Sequence, residues 1–181
     1  MERISELRYE DMTSEQKAVA DRIMSGPRKT LEITHNTWLR SPKFADLNQA
    51  VGSFMRYEIL EPRLRELVIL TTGKHWDCEL EWHLHRGPAE EAGLDKPLLD
   101  ALAAGRRPRF ERDEEAAAYH FVTMLLDEHA VDDATYERTL QVLGEQRLVE
   151  VIALCGHYVM VAMLLKTFAW PLPDGVEPQL G

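Results

Sequence analysis

The sequence predicts an all-α protein, and three observations carry that prediction. Apolar residues recur at steps of three and four along the 181-residue chain, the period of helices that bury one face. No run alternates apolar and polar residues as a half-buried strand would, and no repeat or low-complexity stretch interrupts the pattern. The apolar stretches are separated by pairs such as Gly26-Pro27, Ser41-Pro42, Glu61-Pro62 and Asp132-Asp133, which stop, restart or cap helices.

In chain order, residues 1–12 read as an extended polar arm on the surface. Thr13-Ser14-Glu15-Gln16 is a helix start, leading into Ala18, Val19 and Ile23 and ending near Gly26-Pro27. From Ser41-Pro42 a second helix carries Phe44, Leu47, Ala50, Val51, Phe54 and Met55 on what reads as its buried face. Glu61-Pro62 opens a third, with Leu64, Leu67, Val68, Leu70 and Thr71 on its apolar side, running toward Cys78. Gly87-Pro88 is expected to break or re-aim the helix that bears His85, and Gly93 to end the next piece. A short helix over 96–104, a basic connector over 105–112 and a long helix over 113–129 come next. Asp132 and Asp133 cap a further helix that Gly144 closes. The last helix, 148–168, is apolar nearly all round, which points to cover on every side by its own core or a second subunit. Trp170-Pro-Leu-Pro stops it, and 170–181 reads as an extended arm.

Length and a 45% hydrophobic content fit one domain over 1–181. A formal net charge of −10 opposes binding to nucleic acid, because phosphate contacts need Lys and Arg. No leader opens the chain, and the apolar stretches read as shorter than the roughly 18 residues of a membrane span, which points to a cytoplasmic protein without membrane attachment. The two cysteines, Cys78 and Cys155, are expected to be reduced thiols.

The chemistry-bearing residues concentrate between Trp76 and His85. On a helix, Cys78, Glu81 and His85 share one face. Glu66 lies twelve residues before Cys78, so on an unbroken helix it would point the same way, and a bend could bring it over His85. A carboxylate beside an imidazole orients the ring, and a group on the far side can then exchange a proton with it. The segment Pro62-Arg-Leu-Arg-Glu-Leu-Val-Ile-Leu, followed by Cys78-x-x-Glu81-Trp82-x-x-His85 and by Ala89 to Gly93-Leu94, resembles the core motif of the carboxymuconolactone decarboxylase-like proteins. Residues 153–173 also resemble the last helix of its longer members, so the likeness covers most of the chain.

That resemblance implies a compact helical bundle of the alkylhydroperoxidase D-like type, assembled as a homo-oligomer, trimer or hexamer, with no metal or organic cofactor. It implies a lyase that removes carbon dioxide from a small carboxylated lactone of aromatic degradation. The catalytic set would be Glu66, Cys78, Glu81 and His85, with Trp82 at the substrate excluding water. Arg63, Arg65 and Arg86 are the cations near enough in sequence to hold an anionic substrate. Alkylhydroperoxidase D has a second cysteine where this chain has Glu81, and a carboxylate cannot pass through a sulfenic acid, so the two-cysteine peroxidase cycle is unsupported. A one-cysteine, peroxiredoxin-like hydroperoxide reductase using Cys78 and a non-catalytic oligomeric binding module are the alternatives.

Blander readings cover the remaining candidates. His83 lies off the stripe and reads as a surface partner of Glu79. His75, Cys78, Glu81 and His85 could be metal ligands, but their spacing fits no compact zinc motif. Cys155 and His157 read as core residues of the last helix, Trp38, Trp76 and Trp170 as core or interface, and the acidic run 111–115 as a solvated helix start.

Overall fold

The structure, a computed structural model, describes residues 3–181; residues 1 and 2 of the expected N-terminal arm lie outside the described residues. All regular elements among them are helical, as the sequence predicts. The chain forms two compact units, Met1–Ile59 and Leu60–Gly181.

In the first unit a 3-10 turn, Tyr9–Asp11, interrupts the arm before α1 (Ser14–Ser25). Thr13 and Gln16 close the expected capping box: the Gln16 amide donates to Thr13 Oγ1 at 3.3 Å and the Thr13 amide to Gln16 Oε1 at 2.8 Å. Helix α2 (Ile33–Trp38) is absent from the sequence reading, because Thr34, His35, Asn36 and Thr37 show no apolar period although all four are buried. Asn36 explains one of them: its side chain takes and gives a hydrogen bond with the backbone of Leu7 at 2.9 and 2.8 Å.

Helix α3 (Pro42–Tyr57) starts at the predicted proline, but its buried face is not the predicted one. Ala45, Asn48 and Gly52 are buried, whereas Phe44, Val51 and Phe54 are exposed and Leu47 is 66% exposed. Small residues let α3 approach α1 and α2 closely, which leaves the bulky stripe facing outward.

The second unit holds α4 (Pro62–His75), α5 (Glu79–Glu91), α6 (Lys96–Ala103), α7 (Asp113–Glu128) and α8 (Asp133–Phe168). Helix α4 does not continue to Cys78. Trp76 caps it, Asp77 turns the chain with φ +44°, and Cys78 becomes the N-cap of α5. The two helices therefore run antiparallel, with Glu66 opposite His85 and Gly73 opposite Glu81. Pro88 does not break α5, which continues to Glu91. A proline inside a helix removes one backbone bond, and the residues beyond it still complete the last turn.

Leu67 and Leu70 of α4, Trp82 of α5 and Leu94, Leu99 and Leu102 form an apolar cluster at this hairpin. Helix α7 opens on the acidic run, but Glu115 is not solvated: it is 0% exposed and its carboxylate takes the Arg63 guanidinium. Asp132 caps α8 through the Thr135 amide at 2.7 Å, and Gly144, at φ +76°, kinks the helix where the sequence places an end. Helix α8 packs on α4, α5 and α7. By length and composition alone it is apolar enough to cross a membrane, which corrects the reading of its apolar stretch as too short; less than half of that window is buried here.

The C-terminal arm is non-helical, as expected, but not free. The amides of Gln179 and Leu180 both donate to the Glu79 carboxylate at 2.9 Å, and the Gly181 amide reaches Ala103 O at 3.1 Å. Glu79 is thereby committed to the arm, and the expected His83 partnership does not form.

Candidate active site

The α4–α5 hairpin places a carboxylate against an imidazole. His85 Nδ1 stands 2.7 Å from Glu66 Oε2, and Glu66 is 2% exposed. The bond orients the imidazole, and where the carboxylate is ionised it accepts from Nδ1–H. The sequence predicts the pair through a bent helix; the structure makes it across a hairpin. Tyr158 of α8 stands edge-on to the His85 ring with centroids 5.0 Å apart, and His157 stands edge-on to Tyr158 at 5.5 Å. Tyr158 is not among the sequence candidates. Its place in an apolar helix carries no sequence signal, and only the packing of α8 on α5 brings it to the ring.

Glu81 lies one turn before His85 on the same face of α5. It is 1% exposed, its methylenes rest against Gly73, and neither carboxyl oxygen has a hydrogen-bond partner among the described residues. Burial pushes its pKa well above the usual carboxyl range, so the group holds its proton. A Cβ at position 73 would meet the Glu81 stem at ordinary contact distance, 3.6 Å from its Cγ, so the two helices are close here without requiring glycine.

Cys78 is buried at the start of α5 and borders a cleft of about 330 Å³ with Lys166, Trp170 and Leu172. Burial, then the Glu81 carboxyl, push its thiol up to about 11, against smaller opposing pulls from the Glu81 amide and Lys166. A helix N-terminus usually favours a thiolate; here desolvation wins. Lys166 is itself occupied, donating to the carbonyls of Trp76 at 2.8 Å and Asp77 at 3.1 Å. Cys155 is a core residue as read, receiving the Thr72 hydroxyl at 3.6 Å.

The arginines separate. Arg63 is spent on Glu115 and the Gly93 carbonyl. Arg86 is spent on Glu90, Gln179 and Asp100. Arg65 points its Nε to within 3.6 Å of Glu66 Oε1, and that buried nitrogen has no hydrogen bond among the described residues. Trp82, expected at the substrate, is 0% exposed in the apolar cluster, its indole N–H given to Gln179 at 3.2 Å. Among the described residues no three His, Cys, Asp or Glu side chains group as metal ligands do.

Taken together, the site offers an oriented imidazole, a protonated carboxyl and a guanidinium beside the pair, a set suited to moving protons on an anionic substrate. No protein-family profile and no curated protein matches the chain. Among solved structures, it is similar to a protein of unknown function from Agrobacterium tumefaciens, described as a candidate antioxidant defence protein AhpD. The two are 17% identical, the match covers 78% of this chain and 97% of that one, and the TM-score is 0.69. The chain therefore has the all-α fold of an AhpD-like protein.

Proposed function

We propose that this protein is a cofactor-free proton-transfer enzyme acting on small carbonyl acids, with decarboxylation of a carboxylated lactone as its reaction. The carrying observation is the buried Glu66–His85 pair at 2.7 Å. The choice of substrate rests on the Cys78-x-x-Glu81-Trp82-x-x-His85 motif. In such a reaction the bond to the departing carboxylate breaks, its electron pair moves to the lactone carbonyl oxygen as an enolate, and a proton must then reach carbon. Glu81, neutral by burial, supplies that proton. His85, oriented by Glu66, returns one to Glu81 from solvent. Arg65 receives the substrate's negative charge.

The test is release of carbon dioxide from carboxymuconolactone. Wild-type turnover should fall by about two to four orders of magnitude in His85→Gln and Glu66→Gln, the usual worth of a positioned acid or base. Turnover that survives both replacements would overturn the relay. The one-cysteine peroxidase is less well supported, since a thiol at about 11 is ionised in roughly one molecule in ten thousand at pH 7. The homo-oligomer is supported by the exposed stripe on α3, a contiguous apolar surface of the kind that marks interfaces.

A further inference from the structure

The C-terminal arm supplies part of the wall of the Cys78 cleft, and it is fastened on both sides of that wall. Before it, Lys166 donates to the Trp76 and Asp77 carbonyls at 2.8 and 3.1 Å, which pins the last turns of α8 to the turn between α4 and α5. Trp170 and Leu172 then line the cleft together with Cys78 and Leu80. The chain next reverses: the Val176 amide donates to Pro173 O at 3.1 Å, and Gly175, at φ +79°, takes the left-handed position that such a turn needs. The returning segment docks on one stripe of α5, since Glu79, Trp82 and Arg86 stand three and four residues apart. The Glu79 carboxylate accepts the Gln179 and Leu180 amides at 2.9 Å each. Gln179 Oε1 accepts from the Trp82 indole at 3.2 Å and from Arg86 Nη1 at 3.0 Å. Leu180 packs on the apolar cluster of the hairpin, and the Gly181 amide reaches Ala103 O at 3.1 Å.

Two features make this arm a latch and not a part of the core. Its fastening lies at the surface, where Gln179 and Gly181 are exposed, and contacts of that kind open locally at far lower cost than the core unfolds. Its docking point also adjoins the thiol: Glu79 follows Cys78, which is 3% exposed. Undocking therefore frees the first turn of α5 and the Trp170–Leu172 wall together. We infer that the arm is a latch on the Cys78 cleft: docked, it holds that wall in place and shuts the thiol off, and undocked, it opens the cleft to a small molecule. The latch governs access, so it acts whatever reaction the Glu66–His85 pair carries out.

The experiment is alkylation of the folded chain by iodoacetamide at about pH 9, where enough thiolate forms to react, with each cysteine followed by peptide mass spectrometry. Cys155 is the internal reference. It is as deeply buried, at 2% exposed, but it sits against Thr72, roughly four helical turns before the arm begins. Gln179→Ala removes the acceptor of Trp82 and Arg86, and Leu180→Ala removes the apolar contact. Each should speed Cys78 alkylation about tenfold and leave Cys155 at its wild-type rate. Glu177→Ala, at an exposed position on the same arm, should change neither. Unchanged Cys78 rates in both docking variants would overturn the latch. Equal acceleration of Cys78 and Cys155 would overturn it too, because that reports loosening of the whole core. Acceleration by Glu177→Ala as large as by Gln179→Ala would overturn the assignment of docking to residues 179 and 180.

Discussion

Replacing Glu81 by Gln keeps the shape of the side chain and removes its proton chemistry, and burial fixes the sign of the effect on stability. In the folded chain burial holds the proton on Glu81, whereas the same carboxyl in the unfolded chain ionises near 4.5. The native state therefore binds more protons than the unfolded one above that pH. The stability tied to this group is fully present below 4.5 and is lost as pH rises toward the folded value. Inside that window the loss is about 1.4 kcal/mol per pH unit, or about 3 to 6 °C of melting temperature for a chain of this size. Glu81→Gln lacks the loss. Its own amide is equally unpartnered, which shifts its stability by a constant but adds no slope. Cys78, at about 11, stays protonated throughout and adds none either. The assay is thermal melting of both proteins by circular dichroism from about pH 5 to 8. The variant's advantage should widen by about 3 to 6 °C for each pH unit above 4.5 until the folded carboxyl ionises. Parallel curves would mean that Glu81 ionises normally in the folded chain, and a neutral carboxyl could then not be the proton donor.

The same geometry sets other outcomes. Desolvation is the largest cause of the raised Cys78 pKa, so Glu81→Gln, which leaves that burial in place, should keep the thiol slow toward a thiol reagent at about pH 9. In wild type the thiol should stay largely unreacted with hydroperoxide at pH 7; rapid stoichiometric sulfenic acid formation would restore the peroxidase reading. Glu115→Ala should cost about 3 to 5 kcal/mol in urea unfolding, because it strands the Arg63 guanidinium beside a buried helix start, while Arg63→Met with Glu115→Leu should cost far less. Leu47→Asp should change the melting temperature by no more than about 2 °C in a dissociated chain, as expected at an exposed position; a larger fall, with a drop in sedimentation coefficient, would identify the α3 stripe as a subunit contact.

Much of the fold is legible in the sequence because it is local. Thr13 and Gln16, Pro42, Pro62, Asp132 and Gly144 all act within a turn of their own positions, so their types announce their roles. The illegible part depends on partners distant in sequence. Glu115 looks like any acid in a first helical turn until Arg63 is brought beside it from 52 residues away. The α3 stripe has the right period for burial, but period reports amphipathicity and not which face meets a neighbour; Ala45 and Gly52 win because small residues allow closer packing. Pro88 looks like a break because the local rule ignores how well the rest of α5 is held by α4.

The site shows the same division. Helical spacing is enough to put Cys78, Glu81 and His85 on one face, and the wrong element boundary at 76–78 does not spoil the match of Glu66 with His85. A hairpin with α4 antiparallel to α5 brings them together as well as a bent helix would. Spacing cannot rank the three groups. That ranking comes from desolvation: the same burial that keeps Glu81 protonated also suppresses the Cys78 thiolate, so one environment favours proton donation and disfavours thiol attack. A carboxyl at 81 is therefore more than the loss of a second cysteine. The difference in the slope of stability against pH between wild type and Glu81→Gln measures whether that carboxyl keeps its proton in the folded chain.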